Sequence, residues 1–274
     1  MAFPLKDYSR LCIHTMTTKP WSLAETIAGY TRAGVSAVTV WRQHLEPQGP
    51  VESGKMLRDS GLVVVSVCRG GFFPATTEAG RVKAIDDNRR AIDEAAAIGA
   101  PLVVLVSGAV PGMPLVEARN QILDGIAAVL PHAEAAQVKL SIEPLHPMYA
   151  DDRCAVNTLK QANDMVAALK HPLIGVTVDV YHLWWDPDLA QEIQRAGKTI
   201  FSFHVCDWHT PTRDLLNDRA LMGDGCIPIR QIRSWVEGTG FAGFIEVEIF
   251  SNEQWAGDMA PYVERIKAAY LEYV

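Results

Sequence analysis

The sequence predicts a closed (β/α)8 barrel of alternating strands and helices, and three observations carry that prediction. Eight short apolar runs alternate with eight helical patterns across 274 residues, with no interruption long enough to form another domain. The runs are apolar throughout, as expected of parallel strands covered on their outside by helices. The first run is followed by TMTTKP, which contains no glycine, so the phosphate-binding turn of an open dinucleotide-binding sheet is missing. Such barrels reach about 250 residues as single domains, and residues 1–274 are read here as one.

The strand candidates in order are RLCIH (10–14), AVTVW (37–41), VVVSVC (63–68), LVVLVS (102–107), KLSIE (139–143), GVTVD (175–179), TIFSFH (199–204) and GFIEVE (243–248). Between them lie helical patterns. WSLAETIAGYTRAG (21–34) opens with Ser22 as an N-cap and closes on Gly34, and 51–61 ends on a glycine in the same manner. The stretch 77–99 carries an alanine-rich face and stops at Gly99. Later helices are expected over 114–137, 156–169, 187–197, 228–238 and 253–272, with Pro114, Pro187 and Pro228 where a first-turn proline is tolerated.

Composition narrows the function. A net charge of −7 with no Lys/Arg cluster argues against a nucleic-acid partner. No apolar stretch approaches the roughly 20 residues that span a bilayer, and the start MAFPLKDYSR lacks the apolar core of a signal peptide. Five scattered cysteines without a C-x-x-C pair read as reduced thiols, so a cytoplasmic protein is expected.

In such a barrel the functional groups gather at the C-terminal mouth. The strand tips are then His14, Trp41, Arg69, Ser107, Glu143, Asp179, His204 and Glu248. The first four offer aromatic and hydrogen-bonding groups suited to a substrate wall. The last four are three carboxylates and an imidazole at the ends of apolar strands. Unneutralised carboxylates crowded at one mouth repel strongly, so a shared divalent ion is the simplest reading. This oxygen-rich set suits Mn2+, Mg2+ or Co2+; Zn2+ fits less well, because no thiolate sits at a tip. Pro144 ends the ladder directly after Glu143. DVYH and HVCD place His182 and Asp207 three residues after Asp179 and His204, a spacing that gives them substrate or supporting roles on the exit loops.

Together IEPLHP, VDVYHLWW, FHVCDW, GDGCIPI and GFIEVEIF resemble the sugar isomerase/epimerase superfamily of xylose isomerase-like barrels, over nearly the whole chain. The resemblance implies that Glu143, Asp179, His204 and Glu248 hold one divalent metal, most naturally Mn2+. It also implies that Glu143 and Glu248 exchange protons with a carbohydrate substrate and that His182 contacts a substrate oxygen. Proton removal beside a carbonyl gives an enediolate. Return of the proton then gives epimerisation or isomerisation, and loss of a β-substituent gives elimination. A lyase on 3-oxo-glycosides or 3-dehydroshikimate is therefore the alternative, and a non-catalytic sugar-binding barrel a more distant one. The superfamily's DNA-repair nuclease is excluded, since Arg69 and Ser107 stand where it has histidines. Many epimerases carry an arginine six residues after the metal-binding histidine; Thr210 stands there, and Arg213 is expected to reach the mouth instead. Trp41, Trp184, Trp185 and Trp208 imply a ring-binding wall. A homo-oligomer is compatible with the sequence, which specifies no pairing surface.

Overall fold

The computed structural model describes residues 4–274. Eight parallel strands close into a barrel in the order β1, β10, β7, β6, β5, β4, β3, β2. These are β1 (Leu11–His14), β2 (Ala37–Trp41), β3 (Val63–Gly71), β4 (Leu102–Val106), β5 (Lys139–Glu143), β6 (Ile174–Asp179), β7 (Ile200–Val205) and β10 (Ile245–Val247). Closure is made by β1 against β10, with Leu11 opposite Ile245. The expected strands all form. Val, Ile and Leu on their outer faces pack against the helices to make the core.

The outer helices are α1 (Leu23–Ala33), α2 (Gly49–Ser60), α3 (Glu78–Ile98), α4 (Leu115–Ala136), α5 (Leu159–Leu169), α7 (Leu189–Ala196), α8 (Ile229–Gly238) and α10 (Met259–Tyr273). Their ends follow side-chain chemistry. Ser22 and Glu25 form a reciprocal capping box on α1, while Thr77 and Thr158 cap α3 and α5. Gly34, Gly61 and Gly99 take the left-handed conformation just past their helices. The last helical pattern, read as continuous over 253–272, is two helices. After α9 (Asn252–Trp255) the chain turns at Gly257, and Asp258 caps α10 by accepting from the Ala260 N–H.

Three departures lie at the mouth. β3 runs three residues beyond the expected 63–68, with a register shift against β4 between Cys68 and Gly70. Gly71 allows that extension. Its φ is 106°, and a Cβ there would lie 1.9 Å from the Val106 carbonyl oxygen, so no side chain fits. Asn88 of α3 fixes the bend, accepting from the Gly71 N–H at 2.6 Å and donating to its carbonyl at 2.8 Å. After β6 a single helical turn, α6 (Val180–Leu183), forms at once, capped by Asp179. After β7 the chain makes a two-stranded antiparallel ribbon, β8 (Asp207–Trp208) with β9 (Arg219–Ala220).

Candidate active site

Strand register brings the four polar tips together. Glu143 ends β5, and Asp179 at the end of β6 is paired with His204 on β7. His204 is in turn paired with Glu246 on β10, which leaves Glu248 one layer nearer the mouth on the same face. The ligand atoms of Glu143, Asp179, His204 and Glu248 all lie within 4.8 Å of one another, and all four residues are buried. His204 Nδ1 is 3.0 Å from Glu143 Oε1 and 3.8 Å from Glu248 Oε2. Both His204 Nδ1 and Glu143 Oε1 are buried without a hydrogen-bond partner. Buried polar atoms are rarely left so. Two orphaned donor atoms facing each other among two further carboxylates fit a divalent cation.

A second polar layer lies directly beneath. Glu246 accepts from the Thr39 hydroxyl at 2.5 Å and from Ser66 at 3.3 Å, and Ser202 also donates to it. His204 Nε2 stands 2.9 Å from the Ser202 oxygen. With the Ser202 proton given to Glu246, its oxygen accepts from Nε2–H. In the neutral imidazole this leaves Nδ1 bare and facing the cluster above. His14 is wedged beside this layer, with Nε2 3.3 Å from Glu246 and Nδ1 3.2 Å from Glu248. The Trp41 indole nitrogen lies 3.2 Å from the same Nδ1.

Electrostatics follow from burial and these neighbours. Burial raises Asp179, only partly opposed by Arg219, and its carboxyl is pushed up to about 7. Burial works against the charge of Glu248 too, but Arg219 and His14 outweigh it and hold that carboxyl well below the usual range. Burial likewise opposes ionisation of Glu246, yet His204 and His14 bring it down to about 2. For His204, burial disfavours the imidazolium, while Glu246 and Glu143 overcome that and push it up to about 10.

Arg219, on β9, is a site residue that the sequence reading missed. Its guanidinium reaches Glu248 Oε2 at 2.7 Å and Asp179 Oδ2 at 3.4 Å, and it lies 3.2 Å from His182 Nε2. His182 is carried inward by α6 and lines the cavity. Its Nδ1 accepts from the His146 N–H at 3.2 Å, and burial together with Arg219 holds the imidazole well below its ordinary value. Neutral, with Nδ1 accepting, it carries its proton on Nε2, 3.2 Å from the Arg219 guanidinium that lines the cavity with it.

The remaining expectations divide. Trp41 and Arg69 line the same cavity as Glu143 and Glu248. Arg213 does not: its guanidinium turns outward to Asp218 at 2.5 Å and Glu253 at 2.9 Å, because the ribbon turns the chain back before Arg213 can point inward. The carboxylate of Asp207 faces away from the cluster and accepts from the N–H groups of Trp208, Gly223 and Ile227, so it organises the GDG loop. Trp184 and Trp185 do not line the cavity. Two residues along a helical turn rotate a side chain by about 200°, so the turn that brings His182 in carries Trp184 away. Trp184 packs on Trp208, with ring centroids 5.6 Å apart, and Trp185 donates to the His182 carbonyl at 2.8 Å. Of the expected tryptophans only Trp41 lines the cavity, and the aromatic wall there is Trp41, Tyr149 and Phe250. A larger depression of about 600 Å3 outside α8, lined by Arg230, Trp235 and Tyr273, has no cluster of ionisable groups and lies away from this chemistry.

The motif of Glu246 was legible. In I-E-V-E the two glutamates are two apart, so they share one face of the strand. Arg219 carried no such signal, since its position depends on the ribbon.

Residues 27–267 match a family described as xylose isomerase-like TIM barrel. Among curated proteins, inosose isomerase from Bacillus licheniformis is 26% identical over 215 residues, covering 74% of this chain and 73% of that protein. Protein SMc04130 from Sinorhizobium meliloti 1021 superposes with a TM-score of 0.94 at 47% identity, over 97% of this chain and 98% of that one. The IolI protein, crystallised with a bound zinc atom, superposes with a TM-score of 0.85 at 20% identity over 96% of this chain and 97% of its own.

Proposed function

The chain belongs to the xylose isomerase-like TIM barrel family, and from that premise we propose a divalent-metal-dependent sugar isomerase or epimerase, cytoplasmic, acting by proton transfer next to a carbonyl. The observation that carries this reading is the convergence of Glu143 and Glu248. They come from strands separated by two others, and their ligand atoms lie within 4.8 Å of those of His204 and Asp179. The likeness to inosose isomerases at 26% identity supports the same class of reaction.

Glu143, Asp179, His204 and Glu248 would hold the metal, with Mn2+ favoured by the three carboxylates and Zn2+ the competing choice. When bound, such an ion supplies positive charge beside the substrate carbonyl and so stabilises an enediolate. The protein's own groups do the rest. One of Glu143 and Glu248 removes the proton from the carbon next to the carbonyl. Return by the other, from the opposite face, inverts that carbon, whereas return to the neighbouring carbon moves the carbonyl. His182, neutral and oriented by the His146 N–H, donates from Nε2 to a substrate oxygen. Trp41 and Phe250 keep that side of the cavity apolar.

The test is deuterium incorporation from D2O by the manganese-loaded enzyme offered ketoses and inososes. Exchange at the carbon beside the carbonyl supports the reading, and its absence from every ketone offered sinks it. Loss of a β-substituent during exchange would reassign the enzyme to the lyases.

A further inference from the structure

The cavity beside the Glu143–Asp179–His204–Glu248 cluster is lined by three arginines, and among the described residues only one of them forms an ion pair. Arg219 is paired with Glu248 and Asp179. Arg69 lies over the ring of Phe72, 4.2 Å from its centroid, and Arg153 lies 5.8 Å from the centroid of Tyr149. Among the described residues neither side chain forms a hydrogen bond or an ion pair with a carboxylate. Both line the same cavity as Glu143 and Glu248. The arginine beside them behaves differently. Arg42 is saturated by Asp87 at 3.0 Å and Glu94 at 2.6 Å, and Asp87 is further held by Arg90.

Two half-buried like charges placed together without a counter-ion are unfavourable. Burial, with the neighbouring guanidinium of Arg153, pushes Arg69 down to about 10. The charge balance of the mouth sharpens the point, and here it rests on the metal reading above. Glu143, Asp179 and Glu248 bring three negative charges, which a divalent ion and Arg219 would cancel. Arg69 and Arg153 then remain as surplus positive charge in a chain whose net charge is −7.

We propose that Arg69 and Arg153 form an anion clamp, so that the substrate is a carbonyl compound bearing a carboxylate or phosphoryl group at the end remote from the reacting carbon. Guanidinium groups are the preferred partners of both anions, because their fork of donors matches two oxygens at once. The clamp lines the same cavity as the acid–base pair but is no part of it, so its role is to hold the substrate's anionic end. Arg69 stands at the register shift of β3 against β4, where Cys68 and Gly70 have partners and it has none.

The test uses a matched series on the manganese-loaded protein: D-fructose, D-fructose 6-phosphate and the corresponding 6-carboxylate. Binding is followed by calorimetry and turnover by deuterium incorporation. At least one charged member should bind about 10- to 100-fold more tightly than the neutral sugar, the range for a charge-assisted hydrogen-bonded contact. Arg69→Met and Arg153→Met should each remove most of that advantage while leaving the neutral sugar within about twofold. Which member gains identifies carboxylate or phosphoryl. Equal binding of all three, no measurable binding of either anion, or an anion advantage that survives both substitutions would overturn the clamp. Selective anion binding with no deuterium exchange would leave the clamp standing and remove the enolisation reading, and exchange of the neutral sugar alone would do the reverse.

Discussion

The two sides of the barrel mouth differ in how their charges are settled. On the side of the acidic strand tips, the charges borne by β5, β6, β7, β9 and β10 answer one another: His204 faces Glu143, Arg219 bridges Glu248 and Asp179, and Glu246 ties the floor together. On the other, Arg69 of β3 and Arg153 of the loop after β5 form no ion pair among the described residues. The first side is built for chemistry, in which groups must hold each other in fixed protonation states. The second is built to wait for charge from outside. Rates should therefore depend on the first and recognition on the second.

The largest expected effect tests that division at its strongest point. Glu248→Gln should still occupy a metal-ligand position through its amide oxygen, yet lower deuterium exchange by about 10²–10⁴-fold, the range for a general acid–base group. Near-normal exchange in that variant would take Glu248 out of the proton-transfer pair. One layer down, Glu246→Ala should weaken metal binding by about 10- to 100-fold, as lost supporting carboxylates do, without removing any ligand. Competition against a chromophoric chelator reads this directly; unchanged affinity would mean that the tautomer of His204 is set elsewhere.

A pH dependence follows from the same layer. His204 is pushed up to about 10, so at neutral pH its imidazole must give up a proton before Nδ1 can bind a cation. Metal affinity should rise with pH, by about tenfold per unit for one proton released, and flatten as pH approaches that value. Calorimetry in two buffers of different ionisation enthalpy would show the proton; a buffer-independent heat would contradict it. The smallest effect is expected at Trp184. Trp184→Ala should lower the melting temperature through lost packing on Trp208, a ring–ring contact worth about 0.5–1.5 kcal/mol beyond its buried area. It should leave KM unchanged. A raised KM would return that tryptophan to the substrate wall.

The contrast between the two sides also explains what could be read from the sequence. All eight strands and their order were legible, because continuous apolar runs and capped helices are local signals. The tip residues on β5, β6, β7 and the end of β10 were legible as a group for the same reason: a strand end fixes where its side chain goes. Groups placed by irregular backbone were not. Arg219 reaches the cluster only because β8 and β9 fold into a ribbon, and Arg213, nearer in sequence to His204, is turned outward by that same ribbon. The tryptophans after Asp179 were misplaced because the chain begins a helical turn immediately, which composition alone does not reveal. Glu246 shares the period-two face of Glu248, so its sequence signal is as clear as that of its neighbour.

The grip of Arg219 on Glu248 and Asp179 also bears on the order of assembly. A guanidinium already seated between those carboxylates supplies a counter-charge of the chain's own, so the barrel can close without waiting for an ion. On that footing chelation should leave the melting transition of the barrel in place, since the internal ion pairs of Arg219 need no cation.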